Sequence, residues 1–390
     1  MTSTRSILLL GCGLVGSEVA KDLKETCDFS RLLIADINLE RAKKVALGLS
    51  DERISAKFLD VFKKSSLVSM MEEYDVIADC TDVRDSMVAI EAAIEAKKDY
   101  VNLTGALDIE KLELDEDAKQ SGISAILSLG CTPGITNILA KHGANQLDEV
   151  EKIQVSWEVS GPMVLSPGLL ESCLHQFDME QPERSFYKNG EYIQVPPFYG
   201  EKIIRFAEPV GERKCYIMAH GETRTIPKYI KGVKIVETRG FWEPETMDAM
   251  RVFYDHGFFN KKPVKIKDAS VIPRDFLYQH ILQWNQKYED RWDWTCFLNV
   301  EVVGKKDNEE LKYIYDATHP LEWGKKAGAI MTAIPMSIGI QMLAKNKIKT
   351  KGVFPPEGSD IDPKAFFNEL SNRGIDILER KDSSTNYKAT

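Results

Sequence analysis

The chain has few residues of the kinds that hold metals or form disulfides. It contains only six histidines and seven cysteines among 390 residues. The cysteines are scattered, without a Cys-x-x-Cys pair or a His/Cys cluster of zinc spacing. We therefore expect no metal site. An odd, dispersed set of cysteines is typical of reduced thiols, so we expect a cytoplasmic protein.

The chain also lacks long basic segments, internal repeats and low-complexity tracts. Its net charge of −9 and its pI near 5.4 disfavour nucleic acid and anionic membranes as partners. The first apolar run is only as long as a strand, so we expect no signal peptide. We also expect no apolar stretch to span a bilayer. The length suits two domains, and the polar residues 382–390 are expected to be disordered.

The most informative segment that is present is a glycine-rich turn. Gly11-Cys12-Gly13-Leu14-Val15-Gly16 follows an apolar run and opens an amphipathic helical pattern. This context predicts a dinucleotide-binding turn. The first glycine permits the tight turn, the second lets the backbone approach a pyrophosphate, and the third lets helix and strand pack closely. The helix N-terminus offers N–H groups to the phosphates. We expect contacts to the cofactor from Gly11, Gly13, Leu14, Val15 and Gly16.

Asp36 ends the second strand pattern, 20 residues after Gly16. A carboxylate at this offset accepts hydrogen bonds from the adenosine ribose and repels a 2′-phosphate, so we expect NAD as the cofactor. The alternative is that Asp36 only caps the following helix. NADP stays possible, because basic residues that could hold a 2′-phosphate lie close by: Arg41, Lys43 and Lys44.

Strand and helix patterns alternate over the first 130 residues. Strands are predicted at 6–10, 31–35, 54–59, 75–79, 99–103 and 123–127. The alternation predicts an α/β fold with a doubly wound parallel sheet, a Rossmann domain over 1–130. The cofactor then lies across the carboxyl ends of the strands. Residues at those ends are further cofactor candidates, with helix capping or turn formation as alternatives: Asp60, Val61, Cys80, Thr81, Thr104 and Gly105.

After residue 130 strand patterns outnumber helical ones. Strands are predicted at 150–159, 190–195, 214–220, 231–238, 263–272 and 294–303, with helices near 245–256 and 275–287. This predicts an α+β domain over 131–330 with a mixed or antiparallel sheet, which binds the substrate and forms a homodimer. Residues 331–381, with a long apolar helix over 327–344, are expected to return to the first domain.

Several segments, taken in order, resemble the saccharopine dehydrogenase-like reductases. They are Cys131-Thr132-Pro133-Gly134, Glu222-Thr223-Arg224, Arg239-Gly240-Phe241-Trp242, Pro273-Arg274-Asp275, Thr332-Ala333-Ile334-Pro335 and Phe354-Pro355-Pro356-Glu357. In appearance the chain is most similar to lysine 6-dehydrogenase and the saccharopine reductases. The segment at 239–242 departs from the lysine 6-dehydrogenase pattern, and the segment at 316–321 lacks the usual residues of the family.

The resemblance implies an NAD(P)-dependent enzyme that exchanges hydride with the carbon of a C–N bond in an amino acid. The first reading is a lysine 6-dehydrogenase or saccharopine reductase. The alternatives are a reductase that forms an opine or a carboxy-polyamine, and a non-catalytic NAD-binding sensor. The expected partner is a small amino-acid substrate.

The chemistry needs a group that moves a proton to or from the substrate nitrogen. His220 and Glu222 are the first candidates, with a strand-end histidine beside a solvated acid as the alternative; His319 is the second candidate. A substrate carboxylate would pair with Arg239 or with Arg224, unless these form structural salt bridges. Looser substrate contacts are expected from Thr104, Cys131 and Thr132.

Overall fold

A computed structural model describes residues 5–105, 108–160, 166–181, 184–284 and 295–383. The strands are β1 (Ser6–Leu10), β2 (Arg31–Asp36), β3 (Ile54–Phe58), β4 (Val76–Asp79), β5 (Asp99–Asn102), β6 (Ser124–Ile126), β7 (Glu149–Ser160), β8 (Ser185–Lys188), β9 (Glu191–Gln194), β10 (Lys202–Arg205), β11 (Glu212–Ile217), β12 (Ile235–Trp242), β13 (Val264–Ile266), β14 (Ala269–Val271), β15 (Thr295–Lys306), β16 (Glu309–Thr318), β17 (Gly352–Phe354) and β18 (Asp376–Ser383).

The helices alternate with the strands in the first third of the chain and are sparser later. They are α1 (Leu14–Thr26), α2 (Leu39–Leu49), α3 (Lys64–Glu72), α4 (Val83–Ala96), α5 (Asp108–Leu112), α6 (Asp115–Ser121), α7 (Ile135–Ala144), α8 (Pro167–His175), α9 (Gly221–Tyr229), α10 (Pro244–Asp255), α11 (Pro273–Trp284), α12 (Ala327–Ala344) and α13 (Pro363–Ser371). Short 3₁₀ helices lie at Leu321–Lys326 and Pro356–Gly358.

The chain divides into two compact units. The first, here called the parallel-sheet unit, comprises residues 1–146, 224–231 and 329–377. Its sheet has the order β17-β6-β5-β4-β1-β2-β3, and all neighbouring strands run parallel. β1 lies in the interior of the sheet, and all five of its residues are buried. A parallel sheet with helices on both faces buries its interior strands, which explains why four of the five residues of β1 are apolar. The predicted doubly wound fold is confirmed.

The second, here called the mixed-sheet unit, comprises residues 147–223, 232–328 and the described residues from 378 onward. Its sheet has the order β10-β11-β12-β7-β15-β16-β18, with β8 on β12 and β9 on β8. β7 and β12 pair in parallel, whereas β7–β15 and β15–β16 are antiparallel. The predicted mixed sheet in an α+β arrangement is confirmed.

The unit boundaries differ from those expected from the sequence. Residues 131–146, expected to begin the second domain, belong to the parallel-sheet unit. The reason is local bonding by α7, where Asn137 accepts from the Gly134 N–H and donates to Glu357 and Thr225, all within that unit. At the other end of the chain, residues 382 and 383 belong to β18, whereas 384–390 lie outside the described residues.

One expectation about membrane spans needs correction. Among the described residues, the helical segment Leu321–Ala344 is long and apolar enough to cross a bilayer, although the sequence pattern was expected to contain no such stretch. In the structure 78% of its apolar window is buried inside the molecule. A helix that is apolar on all sides can lie either in a membrane or in the core of a large protein. The segment is therefore a core helix of the fold.

Candidate functional site

The glycine turn adopts a backbone that side chains would obstruct. Gly11 has a φ of 79°, in the left-handed region, and its N–H donates to the Ala35 carbonyl at 2.8 Å. A Cβ added to Gly11 would lie 2.8 Å from the Cys80 carbonyl oxygen. A Cβ added to Gly16 would lie 2.2 Å from the Gly11 carbonyl oxygen. The first and third glycines are therefore required by the packing of the chain itself.

Gly13 is different, since among the described residues a Cβ there would meet nothing within 4 Å. Open space therefore lies beside the backbone at the start of α1. Gly13 is the N-cap residue of α1 and has no side chain to cap the helix, and the first turn carries no acidic residue. An uncapped helix end next to open space fits a pyrophosphate. Gly13, Leu14 and Val15 would hold that group through their backbone.

Asp36 is 4% exposed at the end of β2 and is held by the chain's own donors. Its Oδ2 accepts from the Cys12 N–H at 2.8 Å, and its Oδ1 accepts from the Asn38 N–H at 2.7 Å. The Arg41 guanidinium donates to both oxygens, at 2.8 and 3.0 Å. Burial alone would raise the pKa of Asp36, but these bonds outweigh it and lower that pKa. The α2 cap is Asn38, which accepts from the Arg41 N–H, so Asp36 does not cap the helix.

Large apolar side chains lie exposed near Asp36. Ile37, which directly follows Asp36, is 66% exposed. Phe58 on β3 pairs in register with Asp36 and is 52% exposed. Exposed apolar groups next to a ribose-binding carboxylate suit the flat face of an adenine ring. Asp60 instead accepts from the Phe62 N–H in a turn, and the side chain of Val61 packs in the core of the unit. The contacts of Asp60 and Val61 therefore give no support for a role in cofactor binding. Ile37 and Phe58, in contrast, were not among the residues predicted from the sequence.

The carboxyl end of β4 carries a buried carboxylate that the sequence analysis missed. Asp79 is fully buried, and its Oδ1 accepts from the Thr81 hydroxyl at 2.5 Å and from the Thr81 N–H at 2.9 Å. Its Oδ2 accepts from the Tyr100 hydroxyl. Burial raises the pKa of Asp79. Thr81 is thereby held rigidly at the strand end, next to Cys80, whose carbonyl contacts the glycine turn.

Thr104 follows β5 and lies in a second buried network. Its Oγ1 accepts from Lys111 Nζ at 2.9 Å and from Asn102 Nδ2 at 3.2 Å, and it lies 3.0 Å from Ser86 Oγ. Ser86 Oγ also accepts from Asn102 Nδ2 at 2.9 Å, so the three polar side chains form one network around Thr104. Lys111 is fully buried, and burial lowers its pKa. The negative charge of Asp108 acts in the opposite direction but does not outweigh burial. The sequence pattern showed Lys111 only as a helical residue.

Two of the remaining candidates of the parallel-sheet unit, Gly105 and Cys131, pack against other residues of that unit. A Cβ on Gly105 would lie 2.8 Å from the Pro133 ring, so this glycine is needed for packing next to Thr132. Cys131 is buried, and its sulfur lies 3.3 Å from the Thr332 hydroxyl. Arg224 lies on α9 and is partly buried. These contacts give Gly105 and Cys131 structural roles, whatever else they contact.

His220 and Glu222 form a close pair in the mixed-sheet unit. His220 Nδ1 lies 2.7 Å from Glu222 Oε2. The side chain of Glu222 is fully buried, and that of His220 is 15% exposed. Glu222 lies in the first turn of α9, so it is not the solvated acid that the structural alternative assumed. A carboxylate next to Nδ1 favours the tautomer that carries a proton on Nδ1.

The neighbours of His220 are aromatic. The Trp157 ring lies 5.8 Å from the His220 ring and 4.7 Å from the Trp242 ring. Only glycine fits at Gly240, since a Cβ there would lie 2.1 Å from the Trp157 indole. The segment before His220 is fixed by Gln176, whose amide pairs with both the N–H and the carbonyl of Ala219.

Two other candidates turn out to be engaged within the fold. Arg239 is 7% exposed and donates from Nε and Nη2 to Glu237 at 3.2 Å, and from Nη1 to the Gly200 carbonyl. This is the structural salt bridge that the sequence left open. His319 accepts from the Cys296 N–H at 3.0 Å and pairs with the Pro320 carbonyl. Burial lowers the pKa of His319, and both ring nitrogens have backbone partners, so it is a core histidine.

In the part of the chain that the structure describes, no group of three His, Cys, Asp or Glu side chains is placed to hold a metal ion.

Comparison with protein families connects both units to one family. A model of the saccharopine dehydrogenase NADP-binding domain matches residues 7–126, and a model of the saccharopine dehydrogenase C-terminal domain matches residues 178–375. The chain belongs to the saccharopine dehydrogenase family. The resemblance inferred from the sequence is confirmed, and the cofactor is NAD(P).

The similarity to known relatives and to a solved structure extends over most of the chain. The chain is 22% identical to carboxyaminopropylagmatine dehydrogenase of Synechocystis, over 95% of this chain and 96% of that one. It is 24% identical to carboxynorspermidine synthase of Vibrio alginolyticus, with the same coverage. The fold resembles that of apo saccharopine dehydrogenase (L-Glu forming) from Saccharomyces cerevisiae, with a TM-score of 0.72, 17% identity, and coverage of 97% and 100%.

The chain is thus an NAD(P)-binding dehydrogenase of the saccharopine dehydrogenase family. The glycine turn, the helix end at Gly13 and the carboxylate of Asp36 fit the dinucleotide, as described above. The relatives are enzymes named for amine substrates.

Proposed function

We propose that the protein is an NAD(P)H-dependent reductase that joins an amino-acid aldehyde to a primary amine of a polyamine-like molecule. The observation that carries the proposal is the pair of relatives aligned over 95% of the chain, both named for carboxylated polyamines. Of the readings that the sequence left open, this one replaces lysine 6-dehydrogenase as the first choice.

The proposed reaction has two balanced stages. The amine adds to the aldehyde carbonyl, and loss of one water leaves a C=N bond. The carbon then receives hydride and the nitrogen receives a proton, which gives a secondary amine. The cofactor supplies the hydride and leaves in its oxidised form. The chain's own residues bind the two substrates, hold water away and supply the proton.

His220 is the proposed proton donor. Its Nδ1 is bound to the buried carboxylate of Glu222, which stabilises the imidazolium form. Nε2 then delivers the proton to the nitrogen as the secondary amine forms. In the reverse direction the same atom takes the proton back. A positioned proton donor typically contributes about 10²–10⁴-fold to the rate.

The side chains near His220 suit a cationic amine. The Trp157 and Trp242 rings are almost fully buried, and they give His220 an aromatic surrounding of the kind that favours a cation, while Glu222 adds a negative charge. The substrate carboxylate calls for an arginine. Arg239 is committed to Glu237, and Arg224, which is partly buried on α9 and also has a partner within the fold, is the other candidate from the sequence for that contact.

The assay follows nicotinamide absorbance with the purified protein, NADH or NADPH, and pairs of an amine and an amino-acid aldehyde. The amines are agmatine, 1,3-diaminopropane and lysine, and mass spectrometry identifies the product. Oxidation of the nucleotide with agmatine or the diamine, and a product heavier by the expected carbon chain, supports the proposal. Turnover only with lysine, or reduction of NAD⁺ or NADP⁺ by lysine alone in a parallel assay with the oxidised nucleotides, favours the saccharopine or lysine reading. Nucleotide binding without any turnover favours the sensor.

The role of His220 has its own test. Replacing His220 with Asn keeps a polar side chain but removes the titrating group, so kcat should fall by about 10²–10⁴-fold. Binding of the nucleotide should be unchanged. The control is His256→Asn, because His256 is exposed at the end of α10 and should have no effect. A His220→Asn variant with the wild-type kcat and pH profile would remove His220 from this role.

We also propose that the protein is a cytoplasmic homodimer, since closed two-fold dimers are the commonest oligomers. Light scattering coupled to size exclusion tests the dimer: a mass near twice 44.1 kDa supports it, and a mass near 44.1 kDa rejects it.

A further inference from the structure

The Asp36–Arg41 ion pair bears on which nucleotide the protein accepts. A ribose-binding carboxylate normally disfavours NADP, because it repels the 2′-phosphate. Here the carboxylate already has a guanidinium at 2.8 Å. The two charges cancel, so the end of β2 does not present the bare negative charge that the sequence implied.

The two partners differ in their freedom to move. The side chain of Asp36 is 2% exposed, whereas that of Arg41 is 48% exposed. Arg41 is also a long side chain on the first turn of α2, so its guanidinium can turn into solvent without disturbing the helix. Arg41 is therefore the mobile partner.

Asp36 remains satisfied when Arg41 leaves. Its Oδ2 keeps the Cys12 N–H at 2.8 Å and the Cys12 thiol at 3.2 Å. Its Oδ1 keeps the Asn38 N–H at 2.7 Å. A buried carboxylate that loses its only donor would be strongly destabilising, but this one retains backbone donors on both oxygens. When Arg41 leaves, lone pairs on the Asp36 oxygens become available to other donors, and the loss of folding stability should be modest.

We propose that Arg41 is a movable counter-ion at the adenosine end of the cofactor site, so that the protein accepts both NAD and NADP. With NAD, the guanidinium turns away and the ribose hydroxyls donate to Asp36. With NADP, the guanidinium stays beside Asp36 and also donates to the 2′-phosphate, so that one cation offsets the charge of both anions. Neighbouring basic residues are less suited, since Lys43 is paired with Glu40 at 2.9 Å.

The inference concerns the nucleotide that the proposed reaction uses, but nucleotide binding can be measured without an amine substrate. It predicts opposite effects on the two nucleotides. Arg41→Ala should raise the Kd for NADPH about 10- to 100-fold, as expected for the loss of hydrogen bonds to a charged group. The same variant should leave the Kd for NADH unchanged or lower it, because a competitor for Asp36 is gone.

The experiment is calorimetric titration of the full chain with NADH, NADPH and the fragments 5′-AMP and 2′,5′-ADP. Wild-type, Arg41→Ala, Arg41→Gln and Asp36→Asn are compared, with Lys24→Ala as the control, because Lys24 is an exposed lysine in the last turn of α1, far along the helix from the glycine turn. Asp36→Asn should weaken NADH and spare NADPH, and Lys24→Ala should change neither. Thermal unfolding shows whether each variant is folded. If Arg41→Ala does not fold, Arg41→Gln is used for the comparison instead.

The results separate this inference from the proposed reaction. A split between NADH and NADPH in the Arg41 variants supports the inference even if no amine and aldehyde pair is turned over. Equal loss of both nucleotides, no change in either, or a wild-type protein that binds only one of them overturns it, whatever the substrate proves to be.

Discussion

The two units differ in how they hold their functional groups. In the parallel-sheet unit the glycine turn depends on close backbone contacts, as where Gly16 approaches the Gly11 carbonyl oxygen. In the mixed-sheet unit the cluster before His220 depends on charged side chains, as where Arg274, 4% exposed, bridges the buried Asp178 and the exposed Glu171. The difference shows that the first kind of site depends on the absence of side chains, and the second on their exact pairing.

The mixed-sheet unit also links its charges to the proposed proton donor. Arg184 is 2% exposed and donates to the backbone carbonyls of Gln176 and Asp178. Gln176 in turn pairs with Ala219, directly before His220. A change in this charged cluster should therefore affect stability and His220 together, whereas changes at the glycines should affect nucleotide binding.

The largest expected effect on stability is at Arg274. Its Nε donates to Asp178 at 3.2 Å, and both groups are buried. Arg274→Met removes one partner of a buried ion pair, which typically costs about 3–5 kcal/mol of unfolding free energy. The control is Lys261→Met, because Lys261 contacts the same carboxylate at 2.8 Å but is 62% exposed. An exposed pair contributes about 1 kcal/mol or less.

Urea denaturation of both variants measures this contrast. If Lys261→Met were as destabilising as Arg274→Met, burial would not be what makes this cluster important, and the comparison between the units would lose its basis.

The next largest effect is at the glycine turn. Gly16→Ala places a methyl group against the Gly11 carbonyl oxygen and should cost roughly 3 kcal/mol, at the upper end for inserting a methyl group into a packed region. Gly13→Ala should leave the fold intact, since a Cβ there meets nothing within 4 Å among the described residues. It should nevertheless weaken NAD(P) binding, because the methyl group occupies the space assigned to the pyrophosphate.

Thermal unfolding and nucleotide titration together distinguish the two glycines. A Gly13→Ala variant that binds nucleotide as tightly as wild-type would show that the pyrophosphate lies elsewhere. A fully stable Gly16→Ala variant would contradict the packing of the turn.

The parallel-sheet unit was largely predictable because its signals are local. The buried strands are short apolar runs, and all six predicted strands begin within one residue of the observed ones. Its seventh strand, β17, was not predicted. It has only three residues and pairs with β6, which lies more than 200 residues earlier in the chain. No local pattern announces such a partner. Lys111 was missed for a different reason: its partners Thr104 and Asp108 are close in the sequence, but a lone lysine in a helical pattern is usually exposed.

The mixed-sheet unit was predicted less well because its signals are weaker or distant. β16 was missed, although Asp307 and Asn308 both have positive φ between β15 and β16 and such a pair indicates a hairpin turn. The predicted strand at 263–272 is instead the hairpin of β13 and β14, with Lys267 at its turn. The nearness of His220 to Glu222 followed from the sequence, but the burial of Glu222 did not, because it depends on α9 and on packing from elsewhere in the fold.

The smallest predicted effect is the pH dependence that Asp178 gives to the mixed-sheet unit. Burial alone would raise the pKa of Asp178, but hydrogen bonds from His175 and Lys261 and the charge of Arg274 bring it down to about 2. A depressed carboxylate stabilises the fold fully above its unfolded pKa, near 4, and that stabilisation disappears as pH falls toward 2. The difference corresponds to on the order of 2 kcal/mol. The free energy of unfolding of wild-type and Asp178→Asn, measured in urea between pH 6 and pH 2.5, should therefore differ most at pH 6 and converge in acid. A gap that stays constant across this range would mean that Asp178 acts through its shape and hydrogen bonds, and that the buried charge itself contributes little to this unit.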